Sequence, residues 1–107
     1  MREATILFKG EKAGILTQHD NASFTFAYSD DWVLNIEKPS ISLTLQKINK
    51  VFHSPFLFPF FYNMLPEGTN KQAICKLNKI DLNDYFGLLL TVATEDTIGA
   101  ITIEKRY

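Results

Sequence analysis

The first half of the chain alternates between apolar and polar residues, which is the two-residue period of half-buried β-strands. Turn-forming residues interrupt the alternation at 9–12 and 20–21, so the first two apolar runs are expected to form a hairpin. The pattern predicts strands over 4–8, 14–17, 24–28 and 41–45, with a short strand at 51–52 that Pro55 ends.

The second half has the spacing of short helices. A compact aromatic segment, 58–65, predicts a short helix that starts at Pro59, where the missing N–H of proline is not needed. Thr69 and Gln72 match a capping box, in which the two residues satisfy each other's backbone N–H groups. They predict a second helix that continues to about Leu77.

A further helix is expected after Asp81 or Asn83, because apolar residues follow at the spacing of one buried stripe, at positions 82, 85, 86 and 89. Segment 99–103 alternates again and predicts a last strand. The order of strands, then short helices, then one strand predicts an α+β fold. In this fold a small, hairpin-rich antiparallel N-terminal β-sheet carries two to three short helices, and the final strand returns to the sheet. The length of 107 residues suits one domain, 1–107.

Composition and charge exclude several classes of partner. The net charge of −1 is well mixed along the chain, which argues against direct nucleic-acid binding. The most apolar stretch, 51–65, contains two prolines and is shorter than the roughly 20 residues of a membrane span. A single cysteine, Cys75, in a sequence without a signal peptide predicts a cytoplasmic protein.

The motifs of phosphoryl transfer and of metal binding are missing from the sequence. Its five glycines are scattered, so there is no loop to cradle phosphates. His19, His53 and Cys75 lack the spacing of a zinc site. His53 is expected to be a partly buried loop residue and His19 to lie in a surface turn. We therefore predict no catalytic site, metal or cofactor, and keep a small enzyme that uses His53 as a competing hypothesis.

Three adjacent aromatic residues, Phe60, Phe61 and Tyr62, stand directly before a Leu-Pro-Glu-Gly turn. They cannot all face one side of a helix, so at least one should project away from the core. A small domain could enclose this helix on two sides. Alternatively the aromatics form a protein-contact patch, since aromatic residues and Met are favoured at the centre of interfaces. The residues alone leave both interpretations open.

Segment 60–68 is similar to the FF-x-N-L-L-P-E-G signature of the N-terminal subdomain of HipA-like toxins, which are serine/threonine kinases. Met64 replaces the usual Leu of that signature, a volume-conserving change, and Thr94-Glu95 stands where the family often has glycines. Other matches cover nearly the whole chain: L-x-G-x-x-V-G-x-L around 10–16, F-x-Y-x-x-x-W-L at 24–32, P-x-L-S-L-S-L at 39–45, D-x-F-x-L-L at 84–89 and D-x-x-G-A-V at 96–101.

In some systems of this family the subdomain is a separate small protein, HipS, which accompanies a shortened kinase toxin, HipT, and a helix-turn-helix protein, HipB. The resemblance implies an antitoxin of a type II toxin–antitoxin system that docks on a HipA/HipT-like kinase and inhibits it. A HipB-like DNA-binding protein is a further partner that it implies. The expected partner-binding residues are Phe61, Tyr62, Met64, Leu65, Pro66, Glu67, Gly68, Thr69 and Asn70.

The resemblance also implies an alternative, namely the N-terminal structural or regulatory subdomain of a full-length HipA-like kinase. The family's residues for ATP, Mg²⁺ and catalysis would all follow Tyr107. Under either interpretation we expect this chain itself not to be an enzyme.

Overall fold

Five antiparallel strands form one sheet in a computed structural model that describes residues 1–92 and 100–106. The strands are β1 (Arg2–Phe8), β2 (Glu11–Gln18), β3 (Phe24–Tyr28), β4 (Val51–Ser54) and β5 (Ile101–Arg106), and their order in the sheet is β4-β3-β2-β1-β5. The hairpin of β1 and β2 turns at Lys9 and Gly10, as predicted. The last strand returns to pair with β1, which confirms the α+β fold.

Four short helices complete the described part of the chain. They are α1 (Asp30–Leu34), α2 (Pro59–Tyr62), α3 (Gly68–Asn78) and α4 (Tyr85–Val92), with a 3₁₀ turn at Lys47–Asn49. Pro59 occupies the first turn of α2, as predicted. Helix α1 adds a fourth short helix to the two to three expected. Residues 93–99, which contain most of the D-x-x-G-A-V motif and the predicted start of the last strand, lie outside the described residues.

Aromatic side chains join the helices to one face of the sheet. Phe24, Phe26 and Tyr28 alternate along β3 and are all buried. The buried ring of Phe61 in α2 lies 5.8 Å from the Phe26 ring, and the buried ring of Phe86 in α4 lies 6.3 Å from the Phe24 ring. Such ring pairs stabilise a fold beyond the area that they bury.

The predicted strand at 41–45 is wrong. The segment forms only an isolated antiparallel β-bridge between Ser42 and Leu45. The buried Tyr28 hydroxyl accepts a hydrogen bond from the Ile41 N–H (3.0 Å) and donates one to the Leu45 carbonyl. A side chain thus satisfies backbone groups that a neighbouring strand would otherwise pair. Ile41 and Leu45 consequently face inward, whereas Leu43 is 89% exposed.

The capping box predicted for α3 is also wrong. The helix begins at Gly68, which places Thr69 within it, and no side chain caps the helix N-terminus. Gly68 has a φ of +59°, a conformation that costs other residues free energy because of their Cβ atom. The helix therefore starts two residues before the point that the capping box predicts, since a cap at Thr69 would make Asn70 its first residue.

Helix α4 is capped by Asp84 rather than by the predicted Asp81 or Asn83. The Asp84 Oδ1 accepts a hydrogen bond from the Gly87 N–H at 3.1 Å, and Asp81 instead bonds the Asn83 N–H in a turn that precedes the helix. A Cβ atom on Gly87 would lie 2.3 Å from the Asp84 Oδ2. The cap therefore needs glycine three residues after the aspartate.

Arg2 connects the first strand to this cap. Its guanidinium donates to both carboxylate oxygens of Asp84, at 2.6 and 3.1 Å, and its Nε donates to the Gln18 Oε1 at 2.8 Å. The same group lies 5.0 Å from the centre of the Phe86 ring. Hydrogen bonding from Arg2 holds the pKa of Asp84 below its ordinary value, although partial burial opposes the effect.

We predict that Tyr28→Phe lowers the free energy of unfolding by about 1–3 kcal/mol, because it leaves the Ile41 N–H and the Leu45 carbonyl buried without a partner. Urea unfolding measures the loss, and faster hydrogen exchange at the Ile41 amide locates it. Tyr85→Phe is the matched control, since Tyr85 is partly exposed and its change should stay within about 0.5 kcal/mol. Equal losses in both variants would contradict the assignment.

We predict that Asp84→Asn destabilises the fold near neutral pH by about 0.5–1 kcal/mol. Solvent screening keeps the contribution of a partly exposed ion pair this small. The folded-state pKa is lowered, so the Asp84 carboxylate stabilises the fold above its unfolded pKa of about 4. That contribution disappears as the pH falls through the folded pKa.

Urea unfolding of the wild type and of Asp84→Asn between neutral and acidic pH checks this prediction. The difference between their free energies of unfolding should be constant above about pH 5 and should shrink below about pH 4. Asp30→Asn, which breaks the exposed ion pair with Lys50, should change stability less. A difference for Asp84→Asn that is independent of pH would rule out the ion pair as its cause.

Candidate partner-binding surface

The expected partner-binding residues span α2, the turn after it and the first turn of α3. Backbone hydrogen bonds continue beyond α2, from the Met64 N–H to the Phe61 carbonyl (3.1 Å) and from the Leu65 N–H to the Tyr62 carbonyl (3.0 Å). Residues 65–70, called the tip from here on, follow directly. The tip is thus held by α2 on one side and by α3 on the other.

Phe61 forms the base of this surface and has no exposed area. Its ring packs against the rings of Phe26, Phe58 and Phe60 at centroid distances of 5.8, 6.4 and 5.2 Å. Among the expected partner-binding residues it therefore serves as an anchor to the core, and a partner cannot reach it in this structure. Substitution of Phe61 would report on folding before it reported on binding.

Tyr62 is the adjacent aromatic that projects away from the core. Its side chain is 46% exposed, and its ring lies 5.5 Å from that of Tyr85 in a nearly perpendicular arrangement. The Lys71 Nζ lies 4.9 Å from the centre of the Tyr85 ring, within the range of a cation–π contact. These neighbours orient the Tyr62 ring without any partner.

The tip itself changes from half-buried to exposed along its length. Met64 before the tip and Leu65 within it pack against the core with part of their surface open. Pro66 is also half-buried, and the exposed residues are Glu67, Gly68, Thr69 and Asn70. Together with Tyr62 and Lys71, residues 65–68 line a pocket of about 210 Å³. The surface therefore combines a half-buried apolar part with an exposed polar edge.

An aromatic groove that the sequence analysis did not identify lies on the other side of Tyr62. Its volume is about 450 Å³, and Phe56, Tyr62 and Tyr85 supply aromatic walls. Phe56 is 76% exposed in the turn that ends β4, where the Ser54 Oγ accepts a hydrogen bond from its N–H (3.1 Å). The Ser-Pro-Phe order in the sequence signals the turn, but it does not show on which side the Phe56 ring would lie.

Two histidines meet at one hydroxyl on the opposite face of the sheet. The Thr25 Oγ1 lies 2.7 Å from the His19 Nε2 and 3.0 Å from the His53 Nδ1. His53 is exposed on β4, so the prediction of a partly buried loop residue is wrong. Asp20 pairs with the N-terminal ammonium, which holds the pKa of Asp20 below its ordinary value.

The histidine pair has the geometry of a hydrogen-bonded link between the β2–β3 turn and β4. In the described part of the chain no carboxylate bonds either imidazole, so the orienting partner of a nucleophile–His–acid site is missing there. Within residues 1–92 and 100–106 there is also no group of three or more His, Cys, Asp or Glu residues placed to hold a metal ion. None of the helices described has the length and apolar character needed to cross a membrane.

Comparison with known proteins identifies the same family over nearly the whole chain. The family model described as the HipA N-terminal domain matches residues 4–104. An uncharacterised protein of Haemophilus influenzae (strain Rd) is 31% identical over 105 residues, which cover 98% of this chain and 93% of that protein. A solved structure described as the N-terminal domain of HipA toxin superimposes with a TM-score of 0.74 at 30% identity, covering 100% of this chain and 94% of the other.

The matched region includes both the sheet and the tip. The resemblance to the family is therefore not confined to segment 60–68 but includes the fold that carries this segment. The chain belongs to the HipA N-terminal domain family.

Proposed function

We propose that this chain is an antitoxin of a type II toxin–antitoxin system, which binds a HipA/HipT-like serine/threonine kinase and inhibits it without being an enzyme itself. Its membership of the HipA N-terminal domain family supports a role beside such a kinase. The chain docks where the N-terminal subdomain of a longer kinase would pack. The proposed compartment is the cytoplasm, which suits the one free cysteine, Cys75.

The observation that carries the proposal is the exposed tip on a rigid aromatic base. Phe61 fixes the base in the core, and Tyr62 is oriented by Tyr85. Glu67 and Asn70 are exposed on the tip. A preformed surface of this kind loses little conformational entropy on binding, which favours affinity.

Inhibition follows from how kinases work. Phosphoryl transfer is catalysed by positioning and electrostatic stabilisation of the phosphates, so a small displacement of the catalytic groups suffices to stop it. Residues 67–70 of the tip are exposed, and Leu65 and Pro66 at its start are half-buried. We propose that the tip occupies or distorts the nucleotide and substrate site of the kinase.

The length of a relative supports a stand-alone subunit. The Haemophilus influenzae protein is matched over 93% of its own length, so a domain of this size occurs in that organism as a chain of its own. The second candidate function is that of the N-terminal subdomain within a longer kinase, which the description of the matching structure as a domain of HipA toxin favours. If the chain is a stand-alone antitoxin, a HipB-like DNA-binding protein completes the proposed complex.

We predict that Glu67→Lys and Tyr62→Ala each weaken binding to a HipA-like kinase body that lacks its own N-terminal subdomain by at least about tenfold, as expected for central interface residues. Isothermal titration calorimetry with the full chain measures the affinity. An autophosphorylation assay of the same kinase measures inhibition, which should weaken in parallel.

Glu37→Lys is the matched control, because it makes the same charge reversal at an exposed position outside the tip and its pocket. It should bind like the wild type. Wild-type affinity in both Glu67→Lys and Tyr62→Ala would remove the tip and Tyr62 from the interface. Tight binding with undiminished kinase activity would refute inhibition and favour the role of a structural subdomain.

A further inference from the structure

Arg2 binds two elements that meet at the aromatic groove beside the tip. Its guanidinium donates to both carboxylate oxygens of Asp84, directly before α4, and to the Gln18 Oε1 at the end of β2. Gln18 lines the groove together with Tyr62 and Tyr85. Arg2 lines neither the groove nor the pocket of the tip. An effect of Arg2 on a partner at this surface therefore has to pass through residues that do line it.

The first turn of α4 depends on the carboxyl group that Arg2 binds. The Asp84 Oδ1 accepts a hydrogen bond from the Gly87 N–H at 3.1 Å, and the Asp84 carbonyl accepts one from the Leu88 N–H at 3.0 Å. An eight-residue helix needs such a cap, because the N–H groups of its first turn have no partner within the helix. The ion pair that holds this carboxylate therefore steadies the start of α4.

The second residue of α4, Phe86, fixes the rotation of the helix about its axis. Its ring is fully buried, 6.3 Å from the Phe24 ring, and the guanidinium of Arg2 lies 5.0 Å from its centre. Successive residues of an α-helix point about 100° apart. The burial of Phe86 therefore directs the preceding residue, the half-buried Tyr85, away from the centre of the core.

Tyr85 passes this arrangement on to Tyr62. The two rings lie 5.5 Å apart at an interplanar angle of 86°, which is the edge-to-face geometry that aromatic pairs favour. Tyr62 is 46% exposed, so the core encloses only part of its side chain. A change in the position of Tyr85 therefore changes the positions that the Tyr62 ring can favour.

We infer that Arg2 is a positioning residue of the partner-binding surface, and that it acts on Tyr62 through Asp84 and Tyr85. The inference rests on the proposed function, because the direction of the Tyr62 ring matters to a kinase only if the kinase binds there. Without Arg2 the cap of α4 loses its ion pair, and the Tyr62 ring occupies more positions. Binding then has to select one of them, which lowers the affinity by the fraction of molecules that hold it.

A double-mutant cycle with Tyr62 tests the inference. Isothermal titration calorimetry measures the binding of the full chain to a HipA-like kinase body that lacks its own N-terminal subdomain. Arg2→Gln should weaken binding about two- to fivefold, as expected for residues coupled through one network. In a Tyr62→Ala background the same change should alter the affinity by less than about 1.5-fold, because the ring on which Arg2 acts is gone. Arg2→Lys keeps the charge without the two-pronged geometry, so its affinity should lie between those of the wild type and Arg2→Gln.

Arg106→Gln is the matched control for a general loss of stability. The Arg106 Nε pairs with Glu3 of the same strand β1 at 3.3 Å, and the side chains of Arg106 and Arg2 are both 42% exposed. The control removes a comparable ion pair from β1, but one that does not touch the cap of α4. It should bind the kinase like the wild type.

Nuclear Overhauser contacts between the Tyr62 and Tyr85 rings, measured in the free chain, provide a readout that needs no kinase. They should weaken in Arg2→Gln and persist in Arg106→Gln. Wild-type affinity or wild-type ring contacts in Arg2→Gln overturn the inference, and so does an undiminished effect of Arg2→Gln in the Tyr62→Ala background. A Tyr62→Ala protein that binds like the wild type refutes the proposed surface itself, and the inference with it.

Discussion

The contact between Phe26 of the sheet and Phe61 of α2 is the interaction on which the rest of the structure depends. Helix α2 has only one turn, which is too short to be stable by itself in water. It exists because Phe61 is buried against β3 and brings Phe58 and Phe60 with it. The direction of the Tyr62 ring follows from that burial, and so does the place where the tip begins.

The hydrophobic pattern predicted the sheet well because alternation reports which face of a strand is buried. Phe24, Phe26 and Tyr28 illustrate this, since the predicted inward positions are the buried ones. The same alternation at 41–45 failed for a reason that no local pattern contains. The Tyr28 hydroxyl, which lies 13 residues before Ile41 in the chain, pairs the backbone there in place of a strand.

The sequence also predicted the candidate partner-binding surface only in part. The sequence indicated that one of three adjacent aromatics had to project, and Tyr62 does so, but which ring enters the core depends on the position of Phe26 across the fold. The cap of α4 is formed by Asp84, whose carboxylate also binds Arg2, 82 residues before it in the chain. Such tertiary contacts commonly override local preference, and the pattern of residues around 81–84 does not contain them.

The place of β5 beside β1 affects how this chain can fold during synthesis. Glu3 pairs with Arg106, so the first strand acquires its second neighbour only after the chain has been synthesised as far as β5. Until then the free edge of β1 is available to other strands, which makes incomplete chains prone to aggregation. Contacts so distant in sequence also slow folding. A protein of this design is therefore most vulnerable as a nascent chain, before its last strand has emerged.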